Sequence, residues 1–226
     1  MLKWIKARNT YNYKVDLNEF TGANNYPGYF NCIITPKNLV MFENRFTRSV
    51  KRGVSFEAAG EVCFWKVYKF PNRDGLTKRL LNHLSVPRNW SEFRKALHEI
   101  ADNPSYGNFK RLQRACSQPA GFALPLTFLA FYRPAAYPMA DRHIANWWSE
   151  NKAKHGYEVF SSFIQENGGR IIPCKQSWDA YLAWKDFCNE YSVKLSKQCK
   201  SYWRTRDVEI AVCQAKKKNL SLEKLI

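Results

Sequence analysis

The sequence lacks any run of about 18 apolar residues, the length that a membrane-spanning helix needs, so no membrane protein is predicted. Its seven cysteines include no CxxC pair and form no cluster with histidine at the spacing of zinc ligands. We therefore expect free thiols in a reducing compartment, no structural metal and no cofactor. The opening MLKWIKARNTY has no apolar stretch of the kind found in secretory signals, so the protein is not expected to be secreted.

Acidic side chains are scarce in this chain. It has 19 Asp and Glu residues against 36 Lys and Arg residues, which gives a formal net charge of +17. Such an excess opposes compaction through self-repulsion, and its commonest use is to bind a polyanion. Because the basic residues are spread along the whole chain, a nucleic acid is a better candidate than a membrane surface.

Composition and periodicity predict a folded, all-α protein of about ten helices. Hydrophobic residues make up 45% of the chain, which is enough to build a core. Residues 1–50 are rich in turn signals, with an exposed loop at 21–31 and a β-like run within 32–42. From residue 55 onward, apolar residues recur at spacings of three and four, as one buried helix face requires. The predicted helical segments are 55–70, 73–84, 90–101, 109–116, 122–132, 141–148, 157–166, 177–195 and 202–217.

One segment in the middle of the chain holds the residues that point to a function. A basic helix with Lys110, Arg111 and Arg114 is followed by the tight turn SQPAG at 117–121 and then by an apolar helix. The backbone N–H groups of such a turn, with a helix behind them, form a seat for a phosphate group. Further along, Asp141 follows an extended YP dipeptide and stands where the next helix should begin.

This arrangement resembles the helix-hairpin-helix superfamily of DNA glycosylases. Members of that superfamily carry a hairpin turn, usually written L-P-G-V-G, about twenty residues before an aspartate that opens the next helix. Here Gly121 matches the last hairpin glycine, and Asp141, in the stretch ADRHI, follows it by 20 residues. The stretches GEVCFWK, YPMADRHI and WDAYLAW also resemble the 8-oxoguanine glycosylase-like branch, and the resemblance covers residues 55–215.

The resemblance implies a fold of two helical lobes. A barrel-like lobe is expected over residues 55–136 and ends in the hairpin. The second lobe is expected to combine residues 1–54 with residues 137–226.

The resemblance also implies roles for the residues around the hairpin. Asp141 would be the catalytic carboxylate, because hydrolysis of an N-glycosidic bond builds positive charge on the sugar. The turn would bind phosphate through Gln118, Ala120 and Gly121. Arg142 and His143 are either phosphate contacts or, more simply, a surface arginine and a packed histidine.

Four residues are candidates for a pocket that receives a base. Phe64 and Trp65 could stack on an extruded base, although core packing is the simpler interpretation. Glu61 is unusual in an apolar helix and is kept as a candidate. Asp207 could enter the pocket or belong to an intrahelical charge network with Arg206 and Glu209.

Two residues depart from the pattern of the superfamily. Pro119 stands where the first hairpin glycine would be. Ala123 occupies the position of the lysine that forms a Schiff base in bifunctional members, so lyase activity through that position is not expected.

These observations favour a monofunctional DNA glycosylase that excises a damaged base, such as an oxidised purine, from double-stranded DNA. The alternative is a catalytically inactive helix-hairpin-helix protein that only binds DNA. A third interpretation is an RNA-binding or protein-interaction scaffold with a basic surface. The first two predict a location in the cytoplasm with the nucleoid, or in the nucleus, and no obligate protein partner.

Overall fold

The computed structural model describes residues 1–116 and 121–223, and the all-α prediction is confirmed. The described residues form one short antiparallel pair of strands, β1 (Val15–Asp16) with β2 (Ile33–Ile34). No helix in this part of the chain has the length and apolar character needed to span a bilayer. The helices are α1 (Leu2–Asn9), α2 (Leu39–Arg52), α3 (Glu57–Val67), α4 (Arg73–Leu84), α5 (Pro87–Asp102), α6 (Tyr106–Ala115), α7 (Ala123–Tyr132), α8 (Arg142–Asn151), α9 (Lys175–Cys199) and α10 (Thr205–Lys217).

The chain divides into two compact units. We call Asn12–Ala120 with Thr127–Arg133 the central unit, and Met1–Tyr11, Gly121–Leu126 and Pro134–Ile226 the tail unit. The sequence prediction grouped residues 12–54 with the end of the chain, whereas the structure groups them with the central unit. The reason is that α2 packs on α3, and the loop before α2 bonds to α3 through buried polar contacts.

Helix α2 was missing from the sequence prediction. Its buried residues Leu39, Phe42, Phe46 and Val50 follow one another at spacings of three and four, so they form a single apolar face. Phe46 stacks on the ring of Phe128 within the central unit. This periodicity is as clear as in the helices that were predicted. It was overlooked because the sequence just before α2 is rich in turn-forming residues.

Aromatic side chains from α8 and α9 build the core of the tail unit. The Trp147 and Trp148 rings of α8 lie 5.9 Å from that of Trp184 in α9, between ring centroids. The buried His155 shares a hydrogen bond of 2.6 Å between its Nδ1 and the Tyr191 hydroxyl. These rings are buried among one another, so they stabilise the unit rather than offer faces for stacking on bases.

The prediction of a helix at 157–166 is wrong. Residues 164–172 form a small hairpin, in which Ile172 donates its N–H to the Ile164 carbonyl at 2.8 Å. Gly168 and Gly169 reverse the chain with φ values of 89° and 78°, a conformation that favours glycine. These two glycines turn the chain back on itself, so the segment cannot continue as a helix.

Candidate active site

Asp141 is the N-cap of α8, as the sequence predicts for an acid in this position. Its Oδ1 accepts hydrogen bonds from the N–H groups of His143 at 3.0 Å and Ile144 at 3.3 Å. The side chain is half-buried, so it is not sealed in the core of the tail unit. Its backbone is extended, which lets the chain enter the helix from the segment before it.

The segment before Asp141 is anchored by two side chains of α9. The Tyr181 hydroxyl donates a hydrogen bond to the Pro138 carbonyl at 3.0 Å, and the Trp184 indole N–H donates one to the Met139 carbonyl at 2.9 Å. All of these bonds are buried. Pro138 and Met139, which precede the Ala140–Asp141 step, are therefore fixed on the core of the tail unit.

The start of α10 anchors the other end of the same segment. The Thr205 hydroxyl donates to the Ala135 carbonyl at 2.7 Å, and the Arg206 N–H donates to the Pro134 carbonyl at 3.1 Å. Four carbonyls between residues 134 and 139 thus accept bonds from α9 and α10. This scaffold was not foreseen, because its donors lie far along the chain from the residues that they hold.

The hairpin at 164–172 lies against Gly121 and against Arg142, the residue after Asp141. A side chain at Gly121 would come within 3.5 Å of Arg170 Nε, and one at Gly169 would come within 3.6 Å of Arg142 Cβ. Arg170 is exposed and lies 3.4 Å from the carboxylate of Glu166. The structure therefore brings Gly121, Arg170 and the start of α8 together, and Arg170 was not among the residues predicted from the sequence.

The remaining residues of the predicted turn, among them Gln118, Pro119 and Ala120, lie outside the described residues. Pro125 is the third residue of α7, within the first turn where proline is tolerated. Ala123 is the first residue of this helix. Arg142 is exposed and His143 is half-buried.

The basic residues of α6 differ in how their charges are balanced. Arg111 forms an ion pair of 2.7 Å with Glu99 of α5. Arg114 is exposed, and its Nε donates a 3.3 Å hydrogen bond to the Lys110 carbonyl. Among the residues that the structure describes, Arg111 is thus the one of the three predicted phosphate contacts that is ion-paired with a carboxylate.

Phe64 and Trp65 cannot stack on an extruded base as they stand, and this candidate role is corrected. Both are buried, with exposed fractions of 0% and 3%. The Phe64 ring packs against Phe30, and the Trp65 ring packs edge-on against Phe131. Helix α3 is buried on nearly every side, so its aromatic residues fill the core of the central unit.

Glu61 is likewise a buried structural carboxylate and not a pocket residue. It accepts the Phe30 N–H at 2.8 Å and is ion-paired with Arg45 of α2. Burial raises the pKa of Glu61 from its usual value near 4.5 to about 7, although both contacts act in the opposite direction. Phe30 has a φ of 53°, so the Glu61 bond holds a residue in the left-handed region.

We expect the Glu61→Gln variant to change the pH dependence of stability. A raised pKa means that the native state keeps a proton that the unfolded chain releases, so stability falls as the pH rises from about 4.5 to about 7. Ionisation of Glu61 costs up to about 3 kcal/mol over this window, and glutamine, which does not ionise, avoids that cost.

Urea unfolding at about pH 5 and about pH 8 measures this effect, because the free energy of unfolding is obtained at both values. The control is Glu92→Gln, whose carboxylate is exposed and therefore lies in water in both states. The prediction would be contradicted if the free energy of unfolding had the same pH dependence in the wild type and in the Glu61→Gln variant.

Asp207 belongs to the start of α10. Its Oδ2 accepts the Arg204 N–H at 2.9 Å, and its Oδ1 lies 2.9 Å from the Arg204 guanidinium. Arg206, the residue before Asp207 in α10, is ion-paired with Glu209, and both side chains are buried. The predicted pairing is therefore found for Arg206 with Glu209, whereas Asp207 pairs with Arg204, outside the predicted set, and has a capping role.

No group of three His, Cys, Asp or Glu side chains in the described ranges could hold a metal ion. Comparison with known proteins gives no match: no family model, no characterised protein and no solved structure is significantly similar to this chain. The likeness to helix-hairpin-helix glycosylases therefore depends on the motif residues alone.

Proposed function

We propose that this chain is a monofunctional DNA glycosylase in which Asp141 is the catalytic carboxylate. The observation that carries the proposal is the way Asp141 is held. It lies half-buried at the start of α8, at the end of a segment that α9 and α10 anchor through four carbonyls. The spacing of 20 residues from Gly121 to Asp141, which resembles that of helix-hairpin-helix glycosylases, supports a catalytic role for this carboxylate.

Hydrolysis of the N-glycosidic bond requires a fixed negative charge beside the sugar of the flipped nucleotide. As the bond between C1′ and the base nitrogen breaks, positive charge develops on the sugar, and water then supplies the oxygen bonded to C1′. The bonding electrons leave with the base, which takes up one proton from solvent, while the proton that the attacking water loses returns to solvent through the carboxylate. A carboxylate such as Asp141 stabilises the developing cation and accepts the proton from the attacking water.

The anchored segment matters because preorganised charge does not have to move during the reaction. A carboxylate on a loose loop would have to be ordered for each catalytic cycle. Here the bonds from Tyr181 and Trp184 fix the backbone of the two residues that precede the Ala140–Asp141 step. Such support for a reacting group is typical of catalytic sites.

Binding to double-stranded DNA would draw on the net charge of +17, since each phosphate contact releases condensed counterions. Arg142 and Arg170 are exposed beside the start of α8 and Gly121, where they could contact phosphates next to the flipped nucleotide. The proposal implies a location where DNA is found, either with the nucleoid in the cytoplasm or in the nucleus.

The test is an excision assay on duplexes that each carry one damaged base, with oxidised purines included. Because Ala123 stands in place of the Schiff-base lysine, the expected product is an intact abasic site, and borohydride should trap no covalent complex. A panel on which the protein excises nothing would overturn the glycosylase proposal. A borohydride-trapped adduct would overturn the monofunctional assignment.

The second candidate is a helix-hairpin-helix protein that binds DNA without catalysis. The observation that favours it is the cap itself, because both bonds that Asp141 Oδ1 accepts are those of an ordinary helix N-cap. This candidate predicts tight, salt-dependent DNA binding with no release of any base.

A further inference from the structure

Helices α5 and α6 of the central unit border a groove of about 580 Å³. Its walls are polar and carry four basic side chains: His83 at the end of α4, Lys95 in α5, and Arg111 and Arg114 in α6. Two carboxylates, those of Glu92 and Glu99, lie in the same walls. A groove with this lining is suited to a charged ligand rather than an apolar one.

The charges of the groove do not cancel. Glu99 is paired with Arg111 at 2.7 Å, and Glu92 is paired at 3.4 Å with Arg88, which is not part of the lining. Lys95 and Arg114 are both exposed, and in the described part of the chain neither is paired with a carboxylate. These two cations face the same groove from different helices.

We propose that this groove binds the phosphate backbone of duplex DNA through Lys95 and Arg114. The inference rests on the proposed function for the choice of DNA, and it adds Lys95, which was not among the phosphate contacts predicted from the sequence. A polyanion fits better than a small anion, because the groove is open and its cations come from two helices. The contacts would be made to phosphates and would carry no base specificity.

The first test is DNA binding by the double variant Lys95→Ala, Arg114→Ala. Each lost phosphate contact should lower the slope of log affinity against log salt by about 0.9, so two contacts reduce it by about 1.8. The ratio of wild-type affinity to that of the double variant should therefore be about tenfold smaller at about 200 mM salt than at about 50 mM salt. The duplex used is undamaged, so the result does not depend on excision.

The matched control is Lys51→Ala, Lys78→Ala. Both lysines are exposed on the central unit and neither lines the groove, so this control removes the same charge elsewhere. It should keep a salt slope close to that of the wild type. Equal losses of slope in the two double variants would overturn the proposal, because the effect would then be one of net charge.

A second variant should strengthen binding, an outcome that misfolding cannot produce. Glu99→Gln removes the partner of Arg111 and frees that guanidinium for a phosphate, so affinity should rise about threefold or more at low salt. The control is Glu19→Gln, which removes the same charge and an ion pair of the same 2.7 Å length from Arg73, in the same unit but outside the groove, where Asp74 still lies 3.8 Å from Arg73. No gain for Glu99→Gln over this control would contradict the proposal.

The outcomes separate this proposal from the proposed function. If the protein excises no base but the Lys95→Ala, Arg114→Ala variant binds DNA with a weaker salt dependence, the groove proposal stands and the glycosylase proposal fails. If the protein excises bases but its groove variants bind DNA as the wild type does, only the groove proposal fails. Tighter binding of an RNA duplex of the same sequence would overturn the choice of DNA.

Discussion

The Asp141→Asn variant is expected to lose base excision by on the order of 100-fold or more while it still binds DNA. Asparagine keeps the size of the side chain and an oxygen that can accept the N–H bonds of His143 and Ile144, so α8 should remain capped. What disappears is the negative charge that stabilises the developing sugar cation. Removing a negative charge beside the phosphates should leave affinity unchanged or slightly higher.

Single-turnover excision with excess protein measures the chemical step, and a separate titration measures binding. Asp16→Asn is the matched control, because the Asp16 side chain also caps a helical turn, by accepting the Asn18 N–H at 3.0 Å. That variant should excise at the wild-type rate. If Asp141→Asn retained full activity, Asp141 would be a cap alone and the catalytic assignment would fail.

The Glu209→Gln variant is expected to destabilise the protein by about 3 to 5 kcal/mol. Arg206 is fully buried, and Glu209 is the carboxylate with which it is ion-paired. Glutamine leaves the positive charge of Arg206 inside the core of the tail unit without that counter-charge. Glu150→Gln is the control, since its ion pair with Lys216 is at the surface and should contribute less than about 1 kcal/mol.

Denaturant unfolding of three variants separates the charge effect from packing. In Arg206→Met, Glu209→Met both charges are replaced by apolar side chains of similar volume, so stability should recover most of what Glu209→Gln loses. Arg206→Met alone should be costly, because it leaves the buried Glu209 carboxylate without this partner. A Glu209→Gln loss no larger than that of Glu150→Gln would mean that the buried pair is not held together by charge.

Helices whose apolar residues repeat with a clear period were predictable because the pattern is local. In α5, Phe93, Leu97 and Ile100 share one buried face, and the predicted segment lies inside the observed helix. The same rule applies to α2, where it was hidden by the turn-rich sequence before it. The end of the segment predicted at 157–166 is not helical because residues 164–166 pair with residues 170–172 across the turn at Gly168 and Gly169.

The burial of α3 could also have been recognised from its composition. Its residues are apolar on almost every side, which is the signature of a helix enclosed by the core rather than one that lines a pocket. Core packing, which was the simpler interpretation of Phe64 and Trp65 from the sequence, is confirmed. Glu61 is the exception in that helix, and its partners Arg45 and Phe30 are far away in sequence, so its role needed the structure.

The chain's local chemistry was sufficient to determine its helical class, its net charge of +17 and the position of Asp141 at the start of a helix. These properties depend on residues within a few positions of one another, where spacing and side-chain type decide the outcome. Tertiary structure alone decided that Tyr181 and Trp184 anchor the segment before Asp141, and that Arg170 lies beside Gly121. Such contacts join distant positions, and they form only when packing of the core fixes which helix faces meet.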